Sequence, residues 1–376
     1  MRSRRVAVLL AAAWLTAACA SAPAQQTPQA AMSPAPVQTS SAPDGSFTVI
    51  ATGDVLIHPP LTEQAAEDAK KSGMGEFDYR PLLAGVKPLI SAADLAICHL
   101  ETPLADEGGP YSGYPSFSAP PEIADAIKDT GYDTCSTSSN HTLDQGEAGI
   151  KRTLDKLDSV GIKHTGSARS AKEAATPLIL DVHGVKVAQV SFAFGFNGIE
   201  VPKGKPWLAN QLDVAAVIAA ARAAKKAGAE IVIASLHWGT EYQHEITAAQ
   251  AQQAQKLLAD DSIDLIIGHH AHVVQPFEKI DGKWVAYGLG NEIARHSDPR
   301  GSTEEGTAAR FRFIRTGQGW KVDKAEYVPT LIQLEPQLRL LDLTSGSSTP
   351  RGVDALSATD RVVLSRGAGN DGLTRG

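Results

Sequence analysis

Short apolar runs that stop abruptly at polar or glycine residues recur along the chain. Phe47-Thr48-Val49-Ile50-Ala51 ends at Thr52-Gly53-Asp54, the run 95–98 ends at His99-Leu100-Glu101, and the run 231–236 ends at His237-Trp238. The run 265–267 stops at Gly268-His269-His270, and 284–287 stops at Gly288. Runs of this length bounded by turn residues predict buried strands, with the polar residues at their carboxyl ends. Between them, residues 121–130, 148–160, 213–227 and 248–259 carry helical patterning closed by Gly or Asp-rich punctuation. Strands alternating with helices predict an α/β fold, with helices packed outside a central sheet or sheets.

The flanks follow a different grammar. Arg2, Arg4 and Arg5 precede an apolar run from 6 to 18 that is too short to span a membrane, the pattern of a secretory leader. Leu15-Thr16-Ala17-Ala18-Cys19 resembles a bacterial lipobox with Thr16 in an unusual place. Two readings stand: residues 1–19 as a lipoprotein signal with Cys19 lipidated, or ordinary cleavage near Ala20 or Ala22. Residues 20–46, rich in Ala, Pro, Gln and Ser, read as a flexible tether, and 47–344 as one large domain. Residues 102–120, dense in Gly, Pro and Tyr, read as a long loop, either a lid or an irregular surface connection. From 345 to 376 the Ser, Gly, Thr and Arg content predicts a weakly ordered tail.

Composition narrows the class. With 43% hydrophobic and 20% charged residues the chain is an ordinary globular protein able to bury a core. A formal charge of −7, with no basic run beyond the first five residues, excludes a nucleic-acid binder. The 3 cysteines allow no disulfide framework. Cys98 and Cys135 are read as small buried residues, a pairing being open only if the fold brings them together.

The candidate chemistry lies in the strand-end residues. Asp54, Glu101, Asn140-His141, His237 and His270-x-His272 all fall at or near predicted strand ends, so one α/β domain can converge them on one face. Oxygen and imidazole donors without paired cysteines suit Zn, Mn or Fe rather than a closed structural zinc site. A carboxylate able to bridge two cations, with several imidazoles, is what two-metal hydrolysis by a solvent-derived nucleophile requires. A Gly-Asp turn or a half-buried His237 alone is weak evidence. Three imidazoles within Gly268-His269-His270-Ala271-His272 are costly to pack without partners.

Taken in order, Thr52-Gly53-Asp54, Ala93-Asp94-Leu95 with His99-Leu100-Glu101, Ser139-Asn140-His141-Thr142-Leu143-Asp144-Gln145-Gly146, His237-Trp238-Gly239-Thr240-Glu241-Tyr242, the segment 268–273 and Tyr287-Gly288-Leu289-Gly290-Asn291 resemble the CapA family of capsule and poly-γ-glutamate synthesis. The match spans roughly residues 47–295. The resemblance implies a layered α/β sandwich of mixed β-sheets flanked by helices, like calcineurin-type metallophosphoesterases. It also implies two divalent ions: Asp54 and His272 on one, Glu101 bridging, and Asn140, His237 and His270 on the second. His141 would face the substrate as general acid, and Asp144 and Glu241 would orient the imidazoles.

Departures from the pattern leave alternatives open. His99 stands where the family has Asn, and is either a further ligand or a strand-end histidine. His58 either reaches the site or sits in a turn made by Pro59 and Pro60. Asn291 is either a turn residue or a substrate contact. Glu292 replaces an aromatic and is expected to alter the pocket wall.

The functional expectation is an exported, membrane-anchored or secreted metal-dependent hydrolase or transferase of capsule or poly-γ-glutamate biosynthesis. Its substrate would be an anionic polymer or a phosphoester, and its partners the polymer-synthesis machinery and, through lipid, the membrane. The alternative is a non-catalytic polymer-binding accessory protein. A module that only scavenges metal fits less well, because the histidines are dispersed. Arg80, Lys87, Lys203, Lys205 and Arg295 are the basic residues near the site-bearing loops.

Overall fold

The computed structural model describes residues 45–346 and 349–376. The leader, Cys19 and nearly all of the tether lie outside the described residues. Among the described residues, fifteen strands form two sheets. The first begins with β1 (Ser46–Val55), β2 (Leu95–Leu100), β3 (Thr134–Ser136) and β4 (Lys163–Thr165). The chain then crosses to the second sheet: β5 (Leu178–Val182), β6 (Val185–Ala193), β7 (Ile231–His237), β8 (Leu265–His269), β9 (Phe277–Ile280) and β10 (Lys283–Ala286). It returns through β11 (Asn291–Ile293), β12 (Glu305–Thr316), β13 (Gly319–Gln333), β14 (Arg339–Asp342) and β15 (Leu373–Arg375).

The first sheet runs β14-β13-β12-β1-β2-β3-β4, with β11 added to β1 and β15 to β13; the second runs β5-β6-β7-β8-β10-β9. Strands β1 to β4 are parallel, as are β6, β7, β8 and β10, while the outer pairs are antiparallel. The period of two along each strand explains the layering. Phe47, Val49 and Ala51 of β1, with Phe311 and Phe313 of β12, face Ile231, Ile233, Leu265 and Ile267 in a core between the sheets. Ile50, Ala96, Cys98 and Leu100 point the other way, onto the helices Pro59–Ser72, Glu122–Thr130 and Gly146–Ser159. Val232, Ala234 and Leu236 likewise meet the helices Val214–Lys226 and Ala248–Leu258. Central strands buried on both faces are why they read as unbroken apolar runs.

The architecture is therefore the expected mixed α/β sandwich, two sheets with helices outside. Among the described residues no helix is long and apolar enough to cross a membrane.

Three local expectations are corrected. Pro59 and Pro60 open a helix rather than a turn, since the first helical positions need no backbone donor. The C-terminal residues are not a weakly ordered tail. Pro350–Val363 is a helix capped by Thr349, and β15 pairs with β13. Cys98 and Cys135 face each other across β2 and β3, Cα atoms 4.5 Å apart, and are joined as a disulfide rather than being merely small buried residues.

Candidate metal centre

The parallel strands deliver their carboxyl ends to one place. Asp54, fully buried near the end of β1, lies opposite His99 of β2. Its position depends on Gly53: a Cβ there would come 2.1 Å from the carbonyl oxygen of Gly290, which accepts the Asp54 N–H at 3.0 Å. Gly268 is constrained in the same way, since a Cβ there would lie 1.9 Å from the Tyr287 carbonyl oxygen. Glu101 follows β2 and donates its N–H to the Val55 carbonyl at 3.2 Å. β7 ends on His237 and β8 on His269.

Beyond β8 the backbone turns through positive φ at His270 (92°) and His272 (54°), which non-glycine residues avoid unless their surroundings hold them there. The turn lets the His270 N–H reach Asp54 Oδ2 at 3.0 Å and puts His272 Nδ1 3.2 Å from the same oxygen.

The electrostatics of this cluster are unbalanced. Asp54 Oδ1 is 3.3 Å from His269 Nδ1, and Glu101 Oε1 is 3.8 Å from His272 Nε2. Yet both Glu101 oxygens, Asp54 Oδ1, His270 Nδ1 and both His269 ring nitrogens are buried without a hydrogen-bond partner. Burial pushes the Glu101 carboxyl well above the usual carboxylate range. Burial also works against the charged form of Asp54, but the His269 and His272 rings set against it outweigh this and hold that carboxyl low. Burial would depress His272 too, but Glu101 and Asp54 raise it to about 9. Burial, then the charge of His272, lowers His270 to about 3.

Orphaned carboxylate oxygens beside unpartnered imidazole nitrogens are what a bound cation would satisfy. Three overlapping groups have ligand atoms mutually within 4.8 Å: Asp54, Glu101 and His272; Asp54, His99 and His237; Glu241, His270 and His272. The donor set of carboxylate oxygen and imidazole nitrogen fits a divalent ion of the Zn, Mn or Fe kind.

A hydrogen-bonded chain fixes the orientation of His237. Its Nε2 lies 2.9 Å from Asn140 Oδ1, its Nδ1 3.0 Å from His99 Nε2, and His99 Nδ1 2.8 Å from Ser136 Oγ. His269 stacks on His99 at 4.1 Å. If His237 offers Nε2 to an ion, its proton sits on Nδ1 and is donated to His99, whose own proton passes to Ser136. In that state the Asn140 contact at Nε2 would give way to the ion and His99 would hold His237 in its Nδ1–H tautomer; His99 itself also belongs to one of the three ligand groups.

The other site residues divide by contact. His141 Nδ1 is 2.7 Å from Asp144 Oδ2, which also accepts the Phe117 N–H at 2.7 Å, so the free edge of the His141 ring is presented to the cavity. Glu241, expected to orient an imidazole, instead places its carboxylate among the ligand atoms of His270 and His272. Asn291 is not a substrate contact: fully buried, it puts Oδ1 3.1 Å from His272 Nδ1 and donates Nδ2 to the Thr303 carbonyl. Glu292 is not on a pocket wall either, because it turns into the core and accepts the Tyr132 hydroxyl at 2.8 Å.

A cavity of ≈ 500 Å³ opens beside the cluster. His141, Glu241 and His272 form its inner end. His58, at the N-cap of the first helix, lines it with its ring 4.6 Å from that of His296. Phe194, 46% exposed, stands 4.6 Å from the His270 ring on another side of the cluster. Sequence reasoning missed His296, Tyr242 and Arg300 of the cavity wall, and Asn197, which accepts from Asn140 Nδ2 at 3.2 Å. Only Tyr242 stood in a motif. Of the expected basic residues, Arg80, Lys87 and Lys205 are ion-paired to Asp78, Asp129 and Glu147, while Arg295 lines the cavity.

Fold and site together define a two-sheet α/β protein with a buried carboxylate–imidazole cluster at its strand ends. The chain belongs to the bacterial capsule synthesis protein family PGA_cap, whose profile matches residues 48–296. It is 31% identical over 180 residues to the capsule biosynthesis protein CapA of Bacillus anthracis, covering 47% of this chain and 44% of that protein. It is 26% identical over 274 residues to the PGA biosynthesis protein CapA of Bacillus subtilis, covering 71% and 68%. It thus spans under half the length of the first relative and about two thirds of the second. Among solved structures, the calcineurin-like phosphoesterase YfkN of Bacillus subtilis aligns at 16% identity and a TM-score of 0.42, covering 85% of this chain and 98% of that one.

Proposed function

We propose that the protein is a divalent-metal-dependent hydrolase or transferase of capsule or poly-γ-glutamate biosynthesis, working outside the cytoplasm. The observation that carries this reading is the set of buried, unpartnered oxygens, Asp54 Oδ1 and both of Glu101, set among His237, His270 and His272. A bound divalent ion would supply Lewis-acid activation there. The chain's own residues supply the rest. Asp54, Glu101, His237, His270 and His272, with Asn140 and Glu241 at the margins, would hold one or two ions. His141, fixed by Asp144, directs its free ring nitrogen toward bound substrate and can give a proton to a leaving oxygen or nitrogen.

Export is supported by the leader pattern and by the buried Cys98–Cys135 disulfide, which suits an oxidising compartment. Anchoring through Cys19 belongs to the same proposal. The alternative, an accessory protein that handles polymer without chemistry, draws on the names of the relatives, which describe biosynthesis rather than a reaction.

The test is metal analysis and generic phosphoesterase turnover of the parent chain and of Asp54→Ala and His270→Ala. Near-stoichiometric metal, with turnover lost in both variants, is the expected result. Bound metal without turnover would leave the accessory reading; no bound metal and no turnover would remove the hydrolase.

A further inference from the structure

Eleven of the described arginines have a carboxylate within ion-pair distance. Arg295, Arg300 and Arg361 do not, and the first two line the same cavity, the one whose inner end is the carboxylate–imidazole cluster. The contrast with another cavity, of ≈ 540 Å³, is direct: its Arg169 is consumed by Asp155, Asp158 and Glu173.

Both guanidiniums are positioned without being neutralised. The half-buried Arg295 donates its backbone N–H to His58 Nδ1 at 3.3 Å and a guanidinium N–H to the His296 carbonyl, which leaves its other donors unused. Arg300 lies over the Tyr242 ring, its guanidinium carbon 4.1 Å from the centroid. Stacking uses the face of a guanidinium and leaves the N–H edge free to bind an anion. The acids of this cavity do not answer them. Glu241 is grouped with His270 and His272 at the inner end, and Asp298 at the exposed mouth reaches neither arginine.

We infer that Arg295 and Arg300 form a subsite for a second anionic group, a carboxylate or a phosphate, of a substrate whose reacting linkage lies at the cluster. The substrate is then a polyanion engaged at two points, not a single small ester. Only the placing of the reacting linkage rests on the metal-dependent reading; the anion subsite stands on the arginines alone.

The experiment is calorimetric titration of the full chain, with Mn²⁺ and with chelator, using two probes: penta-γ-glutamate and tripolyphosphate. Arg295→Gln, Arg300→Gln and the double variant are compared with the parent. Metal content and turnover of p-nitrophenyl phosphate report on the cluster separately. Removing either guanidinium should weaken binding about tenfold, as expected for a charge-assisted hydrogen bond, and the double variant should show a shallower salt dependence, with metal content and small-ester turnover unchanged.

Weakening confined to penta-γ-glutamate assigns the subsite to carboxylates, weakening confined to tripolyphosphate assigns it to phosphates, and weakening of both to polyanions in general. A parent that binds neither probe, or a double variant that binds both as the parent does, overturns the inference. Arginine-dependent binding that persists in a chain holding no metal would keep the subsite while removing the metal-dependent reading.

Discussion

Glu101→Gln separates the cost of a buried carboxyl from its use as a ligand. The Glu101 side chain is sealed from solvent, neither oxygen has a hydrogen-bond partner, and burial raises its pKa well above 4.5. In the metal-free protein the folded state therefore holds this proton more tightly than the unfolded chain does. Its contribution to stability is complete below the unfolded value and is lost as pH rises through the folded value.

At pH 8 keeping this carboxyl in the metal-free folded chain costs roughly 1–3 kcal/mol, since neither oxygen has a hydrogen-bond partner and His272 approaches only to 3.8 Å. An amide does not titrate and so escapes this cost, and metal-free Glu101→Gln should melt a few degrees above the metal-free parent at pH 8, the two converging near pH 4.5. Metal reverses the order. At a thousandfold excess over its dissociation constant an ion adds about 4 kcal/mol to the parent. The variant, lacking an anionic ligand, should gain far less.

Differential scanning calorimetry with chelator and with Mn²⁺, at both pH values, reads all four states. A metal-free variant less stable than the metal-free parent at pH 8 would show that Glu101 already has a stabilising partner. Equal metal-induced shifts in parent and variant would refute its role as a ligand.

Glu292 offers a second pH signature, since burial raises it to about 7 with only the Tyr132 hydroxyl as donor. Its contribution is full below 4.5 and disappears as pH rises through 7, so Glu292→Gln should stabilise by up to about 3 kcal/mol at pH 8 and by nothing at pH 4.5. Urea unfolding at the two pH values checks this, and an unchanged difference between them would refute it. His99→Ala cuts the chain from Ser136 to His237 and should weaken metal affinity roughly 10–100-fold while the far-UV spectrum stays the same. Metal titration against a competing chelator measures it, and parental affinity would show that His237 needs no such support. The Cys98–Cys135 bridge closes a sequence separation of 37, so the double Ala variant should lose about 4 kcal/mol of stability, read by denaturant melts under oxidising conditions.

What is legible in the sequence follows from burial. β1, β2, β7, β8 and β10 are visible there because a strand covered on both faces must be an apolar run, and the polar residue that ends it must lie at the sheet's edge, where ligands converge. The same logic groups Asp54, Glu101, Asn140, His141, His237, His270 and His272 from the order of residues alone. Elements with one wet face are harder. The hairpin β12–β13 alternates buried Phe311 and Phe313 with Arg310 and Arg312, which pair with Glu326 and Asp323, so its pattern reads as polar chain. The last helix lies in a stretch where Ser, Gly, Thr and Arg accumulate, which masks its apolar positions. Tertiary contacts hold the C-terminal region in place, among them Tyr327 Oη to Asp360 at 2.8 Å and Arg366 to Glu278 at 2.9 Å.

Within the site, identity is legible and role is not. His99 and Asn291 sit in the right motifs, but whether a side chain touches an ion, a substrate or another ligand depends on which ring nitrogen faces which neighbour across 138 residues of sequence in one case and 19 in the other. Arg295 and Arg300 illustrate the opposite limit. In sequence an arginine in a loop is most simply solvated; it becomes informative only when its neighbours are known and no acid among them lies within ion-pair distance.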